Sequence, residues 1–180
     1  MYALIFFIAG LLVAGVHLYF DRQPRTKGRI VEIFLLWLLV IPVGLGGLWA
    51  FMGHTLFAEQ TAEFIGWPAG NPFQSEVAVA DLTVGTLGIL CYWIRGNFWI
   101  AAVIAASVWK LGAVAVHIRE IVVAGNYSPG NAGILFYMGI VVPLLLIALL
   151  VYLERLARHK EREATDTTQP TQSDPYSRRP

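Results

Sequence analysis

GILFYMGIVVPLLLIALLVYL, residues 133–153, carries no charged side chain over a length that, as a helix of about 20 residues, matches the hydrocarbon core of a bilayer. Working outward from it, four more apolar segments of similar length appear, so that spanning helices are predicted at about 2–20, 30–52, 72–94, 98–124 and 132–153. With 57% hydrophobic residues against 14% charged ones and a mean hydropathy of +0.61, the composition excludes an ordinary soluble domain. The expected fold class is therefore all-α, a five-span transmembrane helical bundle over residues 1–153, with the lipid bilayer as its surroundings. The net charge of +1 is the sum of segregated clusters, and no nucleic-acid partner is implied. Cys91 is the single cysteine, which excludes an intrachain disulfide and reads as a small packing residue.

Charge placement predicts the orientation. The first apolar segment lacks a basic leader and is followed by Arg22, Arg25, Lys27 and Arg29, which points to a retained helix with a translocated N-terminus. Arg95 lies in the tight turn after the third segment, and Arg155, Arg158, Lys160, Arg162, Arg178 and Arg179 follow the fifth. Eleven of the 13 basic residues thus fall on one side, so the expected topology is N-terminus outside, C-terminus cytoplasmic, in a bacterial inner membrane. Residues 154–180, ending in TDTTQPTQSDPYSRRP, cannot bury enough apolar surface to order themselves and are expected to form a disordered basic and polar cytoplasmic tail.

The longest connection, HTLFAEQTAEFIGWPAGNPFQSE, joins the second and third spans on the outer side. Its 58–67 stretch reads as a short amphipathic helix in the interface, with Trp67 at headgroup depth. Asn71, Pro72 and Gln74 fit the cap, first and third positions of the next helix, because Asn accepts orphan amide bonds there and Pro needs no donor. Pro42, with Gly44, Gly46 and Gly47 after it, should kink or thin the second helix, giving either close packing, the favoured outcome, or a wider cavity.

The turn at Arg95 and Gly96 is short enough to make the third and fourth helices antiparallel neighbours, with residues whose numbers sum to 191 at equal depth. Under that register Gly88 meets Val103, Gly85 meets Ala106, Asp81 meets Lys110, Ala78 meets Ala113, Gln74 meets His117 and Asn71 meets Glu120. A lone lysine near mid-span costs about 2.5–3.5 kcal/mol on insertion scales, so an Asp81–Lys110 ion pair is expected. The line of Asn71, Gln74, Asp81, Lys110, His117 and Glu120 then forms an outward-facing polar pocket, with His54 and Trp67 contributed by the outer loop. Two functions fit it: binding or passing a small solute or a proton, with His117 as the group that titrates near neutrality, or a scaffold or accessory role in a homo-oligomer or larger membrane complex. A third, a haem- or quinone-associated redox protein using His54 and His117, lacks any close-spaced ligand motif, and no cofactor or metal is predicted. The sequence offers no catalytic constellation, which places an enzyme behind both.

Gly66, Trp67, Pro68, Pro72, Phe73 and Gln74, then His117, then Asn131, Ala132 and Gly133 resemble the GWPxGxPFQ and NAG motifs of an uncharacterised family of small bacterial multi-pass membrane proteins. The resemblance implies no known activity. In that family pattern Asn stands at the position of Asp81 and an uncharged residue at that of Lys110. This chain therefore departs at both ends of the expected pair, which shifts any shared function toward the outer loop, Gln74 and His117.

Overall fold

The computed structural model describes residues 2–168, and every described element is helical. In chain order these are α1 (Tyr2–Phe20), α2 (Lys27–Leu38), a π-helical segment (Leu39–Leu45), α3 (Gly46–Leu56), α4 (Ala58–Ile65), α5 (Phe73–Leu90), α6 (Asn97–Ala124), α7 (Pro129–Ala132) and α8 (Ile134–Thr168). Four helices are long and apolar enough to cross a membrane: Tyr2–Phe20, the continuous rod Lys27–Leu56, Asn97–Ala124 and Pro129–Thr165. α5 is shorter and is diluted by Gln74, Glu76 and Asp81, so it falls outside that set.

The rod lies at the centre. Leu35, Leu36, Leu38, Leu39 and Val43 are fully buried on it, joined by Trp99, Val103 and Ala106 of α6 and by Val142 and Leu146 of α8. Pro42 explains the π segment: it has no amide hydrogen to donate and its ring clashes with the carbonyl one turn back, so the turn widens. The proline ring is packed against α1, where a Cβ on Gly10 would stand 3.1 Å from Pro42 Cδ.

Beyond Pro42 the rod meets α5 backbone to backbone. A Cβ on Gly47 would lie 2.7 Å from Gly85 Cα, and one on Gly88 would lie 2.6 Å from both Gly44 N and Leu39 O. The expected close packing is therefore present, but its partner corrects the register proposed above: Ala78, Gly85 and Gly88 of α5 do not form a seam with Ala113, Ala106 and Val103 of α6. Between apolar helices, association follows the closest van der Waals approach, and two glycine pairs spaced three residues apart allow a nearer approach than Ala and Val do. α6 packs on α8 instead, at Val114 against Gly139. It also meets the chain just past α5, where Trp99 Nε1 donates to Cys91 O at 2.9 Å.

A second correction concerns the tail. α8 runs on to Thr168, so residues 154–168 are helical, while 169–180 lie outside the described residues. The stretch ERLARHKEREA is built of strong helix formers and follows a helix already nucleated, with His159 Nδ1 at 3.2 Å from Glu163 one turn on.

At the arginine-rich end, charges tie three connections together. Arg29 Nε donates to Asp21 at 2.7 Å and its NH1 to Glu32 at 3.1 Å, and Arg95 NH1 reaches the other Glu32 oxygen at 2.7 Å. Arg95 also lies 5.3 Å over the Trp99 ring. Glu32, in α2, is the hub. The Arg29 hydrogen bond holds the Asp21 carboxyl below the usual carboxylate range. A depressed acid stabilises the fold above its ordinary pKa of about 4, and that contribution is lost as pH falls through the lower native value. Amide exchange in the 21–26 connection should therefore accelerate on acidification below about pH 4. Asp21→Asn should raise exchange there at neutral pH and flatten the response; an unchanged profile would count against the Arg29 link.

Candidate functional site

The other end of the bundle is capped by α4, α7 and their loops, and its side chains are positioned from the backbone upward. α4 ends in a left-handed Gly66, φ 82°, where Gly66 N bonds Glu63 O at 3.0 Å and Trp67 N bonds Ala62 O at 2.9 Å. This pair of bonds closes the helix and fixes where Trp67 emerges. A side chain at Gly66 would run into Ser128 Oγ and stand 2.7 Å from Asn126 Oδ1, so glycine is required on both counts. Trp67 is thereby laid over His117 of α6, ring centroids 5.8 Å apart and planes 22° from parallel.

Asn131, completely buried in α7, holds the other side of the imidazole. Its Nδ2 donates to Asn126 O at 2.8 Å and more weakly to His117 O at 3.4 Å, which turns Oδ1 toward His117 Nδ1 at 2.7 Å. An amide oxygen can only accept, so His117 Nδ1–H donates this bond, and no hydrogen bond among the described residues engages Nε2. Asn126 completes the knot: its Oδ1 accepts from Ser128 N at 3.0 Å, and its Nδ2 donates to Ile65 O at 3.0 Å. Loop 66–67, the end of α6 and α7 are thus joined through two asparagines around one histidine. Match to a family model supplies the context.

The chain belongs to DUF6790, a family of unknown function.

The DUF6790 match covers residues 1–159, the helical bundle together with most of α8. No curated protein and no solved structure matches the chain.

The remaining expected site residues are dispersed. Asn71 Oδ1 accepts from Phe73 N at 3.0 Å, but α5 opens at Phe73 with Pro72 at the cap position, one place later than the sequence suggested. Gln74 turns away from the cap and away from His117: its Nε2 donates to Ala58 O at 2.7 Å and approaches His54 Nδ1 at 3.4 Å. Glu120 accepts from its neighbour Arg119 at 3.1 Å. His54 and His117 belong to separate hydrogen-bonded groups, and the described residues hold no cluster of three or more His, Cys, Asp or Glu side chains suited to a metal ion.

The expected Asp81–Lys110 ion pair is not formed. Trp109 Nε1 donates to Asp81 Oδ1 at 2.8 Å, and no Lys110 nitrogen comes within 4.0 Å of that carboxylate. The indole of Trp109, the residue before Lys110, takes the acid, while the Lys110 backbone carbonyl stands 4.0 Å from a Cβ built on Gly139 of α8. Sequence reasoning missed Trp109, Asn126 and Asn131 as site residues. The signal for the asparagines was NYSPGNAG, whose Asn, Ser, Pro and Gly announce side chains that bond their own backbone.

Proposed function

We propose that the chain is a five-span integral membrane protein of a bacterial inner membrane, N-terminus outside and C-terminus cytoplasmic, with α5 as the fifth crossing, and that it binds a proton or a small hydrogen-bond-donating solute at His117 on the outer face. The observation that carries this reading is the buried Asn131, whose amide fixes the histidine tautomer and leaves Nε2 uncommitted. A stacked and oriented imidazole of this kind is what acceptor sites use, since the partner at one ring nitrogen sets the chemistry of the other. Binding fits better than passage, because Gln74 and Asp81, on the inward line expected from His117, are bonded to Ala58 and Trp109 rather than to it.

The test is ¹⁵N NMR of histidine-labelled protein in bilayers. His117 is expected as the Nδ1–H tautomer, with Nε2 responding to acidification or to added solute. Observation of the Nε2–H tautomer would overturn the reading. Proton flux in liposomes that disappears in His117→Ala would extend binding to passage.

An accessory role in a larger membrane complex is the second reading. It is favoured by the internal hydrogen bonds that occupy Asn71, Gln74 and Asp81. A foreign subunit retained in native mass spectra of gently extracted protein would make it primary.

A further inference from the structure

At the arginine-rich end, a groove of about 610 Å³ runs between the 23–32 segment and the cytoplasm-directed part of α8. Its floor is apolar, Leu153 and Leu156, and its polar wall is made by Thr26, Arg29, Glu32 and Lys160. The acid on that wall is already answered: Glu32 is bonded by Arg29 and Arg95, and Arg29 in turn by Asp21, so these four charges balance. Among the described residues Lys160 has no ion pair within 4.0 Å and remains as the uncompensated charge of the groove. The connection above it adds Arg22, Arg25 and Lys27, all exposed.

We infer that this groove seats one anionic phospholipid, its phosphodiester against Lys160 and Thr26 and the start of an acyl chain over Leu153 and Leu156. The argument is one of charge and depth. α1 ends at Phe20 and α2 begins at Lys27, so residues 21–26 mark the boundary where apolar helix gives way to polar connection. A headgroup is the anion found at that depth, and a basic residue near the membrane surface is worth about 1 kcal/mol toward it, a fivefold change in occupancy. The apolar floor is what an acyl chain requires and what a free anion does not. This inference is independent of the role given to His117.

Full-length protein in nanodiscs of phosphatidylcholine with phosphatidylglycerol is examined by native mass spectrometry. One phosphatidylglycerol per chain is expected to persist, reduced at least about fivefold by Lys160→Glu and reduced also by Leu156→Gln, which removes apolar floor. Arg158→Glu makes the same charge change on the opposite face of α8, beside Glu161 and Arg162, and is expected to leave occupancy unchanged. An equal loss in Arg158→Glu would overturn the site in favour of diffuse attraction. Displacement of the lipid by millimolar inorganic phosphate would overturn the lipid as occupant. Thermal melting of each variant separates lost binding from lost fold.

Discussion

Gly88→Val is expected to prevent α5 from docking on the rod, with a loss of 3 kcal/mol or about that, at the upper end of the usual overpacking range. The size follows from what the new side chain meets. The atoms within 2.6 Å of a Cβ at this position are the Gly44 nitrogen and the Leu39 carbonyl oxygen, backbone on both counts, and backbone cannot rotate aside as a flexible side chain would. Leu39 and Gly44 also belong to the π segment, so relief would require that segment to rearrange. Thermal melting in detergent followed by size exclusion should show early aggregation. Gly112→Ala is the control: nothing lies within 4 Å of its Cβ, and the change should be neutral or stabilising by up to about 1 kcal/mol. Equal melting temperatures for Gly88→Val and the parent would refute the backbone contact.

Asn131→Leu is expected to unpick the opposite end. It keeps a similar volume yet abandons three polar groups, His117 Nδ1, His117 O and Asn126 O, in a site with no exposure at position 131. A buried polar group left without its partner costs about 1–3 kcal/mol, so the variant should melt well below the parent. A further readout separates the fold from the site: the ¹⁵N resonances of His117 should reveal a mixture of tautomers once the amide no longer selects one. Asn131→Asp can still accept from Nδ1 but cannot donate to Asn126 O, and should keep the Nδ1–H tautomer while losing part of the stability. A single unchanged tautomer in Asn131→Leu would show that the ring is oriented by Trp67 alone.

The helices themselves were legible because the information is local. Apolar length located α1, the rod, α6 and α8, and the Asn71–Pro72 pair announced the start of α5. Pairing was not legible for a different reason. The small-residue stripe of α5 is complementary to any other small stripe, and both the rod and α6 carry one, so periodicity alone could not choose between Gly44 with Gly47 and Ala106 with Ala113. Pro42 signalled a disturbance but not its form, since a kink and a widened turn begin with the same missing donor. The 154–168 stretch was misread because charge composition describes solubility, whereas a helix already formed upstream extends through such residues at little cost. At the candidate site, Trp67 and His117 stood out as residue types. Their meeting depends on a left-handed glycine and two asparagines, one of which joins segments about sixty residues apart in the Asn126 to Ile65 bond.

The π turn also works as a clock. A regular α-helix advances about 100° per residue, so the additional residue held in a widened turn resets the angular phase of everything after it. Before Leu39 the rod aims its buried leucines at the bundle; after Leu45 it must aim Gly47 at Gly85 while the chain above continues into the cap. The two halves of one rod are therefore timed separately, one by its leucines and one by its glycines, and the seven residues Leu39–Leu45 hold the difference between them. Loss of one residue there would leave the helix hydrogen-bonded apart from the donor Pro42 lacks and yet swing the glycine face about a quarter-turn away from α5, taking with it the anchor of α4. What links the leucine core to the histidine at the far end is thus an angle rather than a contact.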